Sequence, residues 1–397
     1  MKTFKNYFFI FVIAMSFSSL AISQNRMILF EEGTNASCGP CAAQNPTFNA
    51  LLDANTDNVI SIKYQWYFPG TDPMHDHNPG EANARLQYYE ISGVPTATMD
   101  GVIYSFPNAY DGAAIGYTQS HIDEQLAVPS PLNIDLSHTV IGHTITASMD
   151  IGALEDLTGN LVAHIVVIEK AIFFDSPPGS NGETEFYNVM KKMLPSSNGT
   201  SLEDFISGGS VNITESWEIA NIYDINELAV VAFVQNNSTK EVLQASYSEP
   251  VTPIAPDFLN TSAKSILYPT EDFCGNTISP VVKIENNGMD LTSLDISYSV
   301  NGGEITTLNW TGELAFLSAM EVELPESEFI RVDDIVRNDY TIEVFTSLPN
   351  GLEDTDTNDD EISLSFLAPS TDFNIVSLER DYLRMTKKHQ YTKEENF

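Results

Sequence analysis

Cysteines, basic residues and long apolar runs are all scarce in this chain. Only 3 cysteines occur in 397 residues. In an exported protein that leaves one pair and an odd thiol, Cys274, if Cys38 and Cys41 are the pair. Lysine and arginine total 18 against 55 acidic residues, for a net charge of −37. Such a chain repels nucleic acid and anionic membranes, which argues against both as partners. The charge is spread over loops, where it serves solubility. Beyond the N-terminus no stretch is long and apolar enough to span a bilayer, so the chain does not read as an integral membrane protein. Lys2 and Lys5, the apolar run Tyr7 to Met15, and Ala21-Ile22-Ser23 before Gln24 read as a secretory leader, residues 1–23. The short run followed by polar residues favours a leader over a membrane anchor. With no cysteine at the cut, a lipid anchor is not expected.

Against this sparse background stands Met27 to Cys41, MILFEEGTNASCGPC. It reads as a short apolar strand, a turn, and Cys38-Gly39-Pro40-Cys41 opening a helix. A thiolate at a helix start meets unpaired N–H groups and the positive end of the dipole, which lowers its pKa. Two cysteines with this spacing close a disulfide with little backbone movement; Cys38 is the attacking thiol and Cys41 resolves the mixed disulfide. Glu32 lies six residues before Cys38, and Gly93-Val94-Pro95 enters a later strand.

Together these residues resemble the thioredoxin fold. CGPC matches the family's active-site tetrapeptide. The resemblance implies a cis peptide at Pro95, a buried acid at Glu32 that accepts the Cys41 proton, and a companion lysine at Lys63. It also implies an extended substrate pairing with the Val94 backbone beside Gly39 and Pro40. Strand alternation is expected to turn only one of Glu31 and Glu32 inward, and the spacing favours Glu32. Along residues 24–129 the expected order is a helix from Cys41 to about Ala54 and a buried strand Val59 to Tyr64. A polar loop Trp66 to Gly80 and a helix Glu81 to Glu90 follow. A hairpin at Asp100-Gly101 returns through Val102 to Tyr104, and a helix Tyr110 to Leu126 closes the module. The loop is read either as a lid over CGPC, choosing substrates through Trp66, Tyr67 and Phe68, or as ordinary surface. Its His75-Asp76-His77 lacks a third ligand, so no metal is expected.

Pro129 and Pro131 mark a boundary. Residues 130–252 alternate as strands, with near-continuous apolar runs at Leu161 to Ile168 and Leu228 to Val234, and Glu185 to Pro195 as a short helix or extended arm. This β-sandwich domain looks like the β-domain that follows a thioredoxin module in outer-membrane-associated proteins of Gram-negative bacteria. After Pro253 and Pro256, residues 257–368 resemble immunoglobulin-like spacer or adhesion domains. The acidic turn Gly351 to Glu361 fits a solvated hairpin better than a calcium loop, having no central glycine or bidentate terminal ligand. The tail 369–397 is basic and lacks the pattern of a type IX sorting domain, which leaves a periplasmic site as open as an outer-membrane or cell-surface one.

The expected activity is thiol–disulfide exchange on protein thiols and disulfides, with no cofactor and with a redox partner protein supplying or removing electrons. Reductase, oxidase and isomerase directions remain open. The alternative is a binding or adhesion protein whose CGPC disulfide is structural. Cys274 reads as a buried free thiol, against a partner-linked disulfide.

Overall fold

The computed structural model describes residues 26–270, 277–328 and 338–368; the leader, Cys274 and the tail lie outside them. The described chain is mostly β-sheet with few helices. It divides along the sequence into two compact units, with the boundary between Thr252 and Pro253.

The first unit runs through β1 (Ile28–Thr34), α1 (Gly39–Asp53), β2 (Val59–Gln65), α2 (Pro73–His77), α3 (Pro79–Tyr88), β3 (Thr96–Met99) and α4 (Gln119–Leu126). It continues through β4 (Leu132–Ile141), β5 (Thr144–Ala153), β6 (Leu161–Phe173), β7 (Glu185–Leu194), β8 (Thr200–Ser201), β9 (Ser210–Glu218), β10 (Leu228–Asn236) and β11 (Val242–Ser248). The expected separation at residue 129 is not one between compact units. A single sheet of order β11-β10-β6-β7-β2-β1-β3 crosses it, with β8 also paired to β6. The junction is a parallel bridge between β2 and β7 at Lys63 and Val189. Residues Glu185 to Leu194 are therefore an interior strand, neither helix nor free arm. Phe186, Val189, Met190, Met193 and Leu194 are all buried along it.

Both faces of this sheet are covered, which explains its unbroken apolar strands. One face buries Leu29, Ile62 and Tyr64 with Val166, Ile168 and Phe233 beneath Ala82, Leu86 and Tyr89 of the α3 segment. On the opposite face, Ile28 and Phe30 pack against Phe48 of α1 and Ile122 of α4. Further along that sheet, β6 and β10 bury Leu161, Ile165, Val230 and Ala232 against the separate three-stranded sheet β4-β5-β9.

Two further local expectations change. Between Tyr110 and Leu126 the chain makes only a 3-10 turn, Ala114–Gly116, before α4. Gly116 lies against the Phe106 ring, where a Cβ would come within 2.3 Å, so close packing replaces a continuous helix. After the Asp100-Gly101 turn, Val102 makes only an isolated bridge to Met99 and no return strand forms. Gly101 instead presses on the β10–β11 hairpin: a Cβ there would lie 1.8 Å from the Lys240 carbonyl.

The second unit contains β12 (Thr261–Tyr268), β13 (Thr277–Ile278), β14 (Val281–Asn286), β15 (Leu291–Val300), β16 (Thr306–Leu314), β17 (Ala319–Glu323), β18 (Ser327–Glu328), β19 (Asn338–Ser347) and β20 (Glu361–Ala368). Sheets β12-β14-β17 and β16-β15-β19-β20 enclose Ile284, Ile296, Tyr298, Val344 and Phe366. Among the described residues no helix is long and apolar enough to cross a membrane.

Candidate functional site

Cys38 caps the N-terminus of α1 in an extended conformation, and its Sγ accepts from Cys41 N at 3.1 Å. Pro40 sits in the first turn, where its missing N–H leaves no helical bond unmade. The two cysteines form a disulfide across a Cα–Cα distance of 5.2 Å. Gly39 and Pro40 are exposed, while Cys38 is only 2% exposed and Cys41 fully buried.

The Val94–Pro95 peptide is cis, and the Val94 carbonyl oxygen lies 3.4 Å from Cys38 Sγ. Tyr110 donates its hydroxyl hydrogen to the Pro95 carbonyl and accepts from Gln44 of α1 at 3.3 Å. Beside this loop runs an open groove of about 570 Å³ lined by Pro40, Ile91, Val94, Pro95, Ile103 and Tyr110 among others. Cys38, Cys41, Gly39, Pro40, Val94 and Pro95 are thus brought together.

Trp66 is not in that groove. It is half-buried against the α3-side core, its ring meeting those of exposed Tyr67 and Phe68 at 4.9 and 6.0 Å. The backbone of its loop is nevertheless tied to the turn before Cys38. Asn35 Nδ2 donates to the Trp66 and Gly70 carbonyls at 2.6 and 3.0 Å. Ser37 Oγ donates to the Thr71 carbonyl at 2.7 Å. The buried Asp72 carboxylate accepts from Ala36 N at 2.8 Å. The expected polar loop also holds α2, which Asp72 starts by accepting from Met74 N and His75 N.

Both glutamates of β1 are buried, 1% exposed for Glu31 and 0% for Glu32. The expectation that only one turns inward fails because β1 is covered on both faces. Glu31 points to the α3 side. There it accepts from Arg85 Nε at 2.6 Å and Nη2 at 2.9 Å, from Tyr64 at 2.9 Å and from Tyr89 at 2.5 Å. Glu32 shares the α1 face with Phe30. Its Oε2 lies 3.0 Å from Lys63 Nζ, and Oε1 has no hydrogen-bond partner among the described residues. Lys63 in turn donates to Asn49 Oδ1 of α1 at 2.5 Å. Burial pushes the Glu32 carboxyl above the usual carboxylate range, more than the Lys63 ammonium draws it back; the Glu183 charge adds to the rise.

The sequence reading missed Asn181, Glu183 and Tyr110. The first two belong to the β6–β7 loop, about 140 residues downstream, and Pro-Pro-Gly-Ser-Asn-Gly announces a loop without saying where it lands. Among the described residues no group of three or more His, Cys, Asp or Glu side chains is arranged to hold a metal. His77 instead faces Lys191 Nζ at 2.6 Å, and Lys191 pairs with Glu169 at 3.0 Å.

No protein-family model and no curated protein sequence matches the chain. Solved structures do. A protein of Agrobacterium tumefaciens aligns at TM-score 0.37 and 14% identity, covering 57% of this chain and 96% of that one. A domain of the outer membrane lipoprotein Omp28 from Porphyromonas gingivalis aligns at TM-score 0.23 and 15% identity, covering 32% of this chain and 92% of that one. HBP35 of Porphyromonas gingivalis aligns at TM-score 0.51 and 14% identity, over 87% of this chain and 99% of that one, a likeness of overall fold.

Proposed function

We propose that this protein is an exported thioredoxin-like thiol–disulfide oxidoreductase acting on protein thiols and disulfides. The observation that carries this reading is the Cys38–Cys41 disulfide at the N-terminus of α1, with the Val94 carbonyl 3.4 Å from Cys38 Sγ beside an open groove. Residues 1–23 and the presence of a disulfide support an exported setting, periplasmic, outer-membrane-associated or at the cell surface.

In the reducing direction, Cys38 as thiolate attacks one sulfur of a substrate disulfide. A Cys38–substrate disulfide forms and the first substrate thiolate leaves. Glu32 then takes the Cys41 proton, and the Cys41 thiolate attacks Cys38 Sγ, releasing the second substrate thiolate. Two electrons pass to the substrate, whose two thiolates take protons from Glu32 or water, and the Cys38–Cys41 disulfide remains. The oxidising direction is the reverse, beginning from the disulfide. Main-chain groups of Val94 offer an extended substrate a partner next to the sulfurs. A redox partner protein exchanging electrons with Cys38 completes the cycle.

The second reading, a structural disulfide in a binding or adhesion protein, draws on the near-complete burial of both cysteines. Equilibrating the full chain against glutathione buffers separates the two. A potential near about −270 mV marks a reductant, and one near about −120 mV a disulfide donor. A pair that is reduced only on unfolding sinks the enzymatic reading in favour of the structural one.

A further inference from the structure

The β6–β7 loop, residues 174–184, folds onto the backbone that surrounds Cys38. Asn181 N donates to the Ala36 carbonyl at 3.2 Å. The Asn181 side-chain amide faces the carbonyls of Asn35 and Cys38, each at 3.3 Å, and Glu183 Oε2 at 2.5 Å. Ser180 N donates to Ser37 Oγ at 3.0 Å. Gly179 allows the approach: a Cβ there would sit 2.2 Å from the Ala36 carbonyl oxygen. The other oxygen of Glu183 accepts from Asn45 Nδ2 of α1 at 2.9 Å, and Asn45 also reaches Thr34 Oγ1 at 3.2 Å. One loop thus ties together the end of β1, the turn before Cys38 and the second turn of α1.

We propose that this loop is part of the thiol–disulfide site. In this arrangement Asn181 fixes the main chain of Cys38 at the helix start, and Glu183, held by Asn45 of the cysteine-bearing helix α1, brings a carboxylate to the side of the site where Glu32 feels its charge. Both are positioning residues, since neither touches a sulfur. The inference rests on the thiol–disulfide reading and extends it: the strength of the pair as an oxidant is tuned from a segment outside the strand–helix unit that carries the cysteines. The sign follows from electrostatics. A carboxylate near the pair disfavours thiolate, and so holds the equilibrium toward disulfide and keeps the protein a stronger reductant. Asn181 acts oppositely, because a well-placed helix start stabilises the Cys38 thiolate.

The test compares wild-type full chain with Glu183→Gln, Asn181→Ala and the control Asp175→Asn, which removes an exposed charge from the same loop. Glutathione equilibration, exchange rate with a small disulfide, and thermal melting are read on each. Glu183→Gln is expected to shift the equilibrium about tenfold toward dithiol, a rise of about 30 mV, with its melting temperature kept. Asn181→Ala is expected to exchange about tenfold more slowly, and Asp175→Asn to match wild type. If both loop variants keep the wild-type potential and rate while wild type itself cycles, the loop's role is overturned and the oxidoreductase reading stands. If the wild-type pair cannot be reduced while folded, that reading fails first. A melting-temperature drop in Glu183→Gln without a shift in potential also overturns the proposal, by making the contact purely structural.

Discussion

Glu31 and Glu32 are neighbours on one strand, equally buried, and set up for opposite tasks. Glu31 has four hydrogen bonds, two of them from one guanidinium. Arg85 is itself sandwiched by the Tyr88, Tyr89 and Phe233 rings at 4.8 to 5.2 Å and donates on to Gln235. This saturated cluster joins β1, α3 and β10. Glu32 has one ammonium 3.0 Å away and an oxygen with no hydrogen-bond partner among the described residues, and burial raises the pKa of its carboxyl. Buried charge that is fully satisfied fixes structure; buried charge left short of partners is free to change protonation.

The comparison breaks most visibly at Arg85. Arg85→Ala leaves Glu31 buried without its cation and is expected to cost about 3–5 kcal/mol of stability. Urea unfolding of the full chain measures it, and a loss under about 1 kcal/mol would remove the cluster's structural role. Glu32→Gln should do the reverse. Disulfide exchange is expected to slow about a hundredfold, as loss of a positioned proton acceptor does, while stability holds or rises. Stopped-flow exchange and melting curves on the same variant decide it, and an unaltered rate would return Glu32 to a structural part.

The pH dependence sharpens the contrast. A carboxyl raised in the folded state binds its proton more tightly than in the unfolded chain. Its stabilising effect is therefore complete below the unfolded value near 4.5 and is lost as pH rises through the folded value. Glu32→Gln should remove that limb, visible as a stability difference from wild type that turns in favour of the variant with rising pH. His77 gives an opposite limb. Burial first, then the Lys191 charge, pushes it down to about 4 from 6.5, so stability is complete above 6.5 and falls on acidification toward 4. A His77→Asn melt series from pH 7 to 4 should be flatter than wild type. Smallest is Gly33→Ala. Its Cβ would meet Leu86 Cδ2 at 2.8 Å and Val94 Cγ1 at 3.2 Å, so a drop in melting temperature of a few degrees is expected. A modest change in exchange rate should accompany it, because Val94 moves with its carbonyl.

Much of the site's local geometry was legible in the chain. Cys38 before Gly-Pro-Cys reads as a helix start because a cap residue and an early proline leave that turn's orphan groups in order. Apolar runs at Ile28 and Val59 read as covered strands. What the chain hid was mostly non-local. Alternation told that Glu31 and Glu32 face opposite ways but not that both ways are inward, since this depends on α3 and α1 lying on opposite faces. Glu185 to Leu194 carries two lysines and an asparagine, so no clean period marked it as a strand, and its place between β2 and β6 rests on hydrogen bonds to segments far away in sequence.

Sequence by itself therefore determined the elements: where a helix begins, which strands are apolar, and that a cysteine pair sits at the helix start. These follow from short-range sterics, capping and hydrophobic period. Tertiary structure alone decided that residues 24–129 and 130–252 share one sheet, that Glu32 has only Lys63 beside it among the described residues while Glu31 has four hydrogen bonds, and that Asn181 reaches the Cys38 carbonyl and Glu183 reaches Asn45 of α1. Those outcomes depend on which distant backbone groups satisfy one another and on which charges lose water together, and no local pattern encodes either.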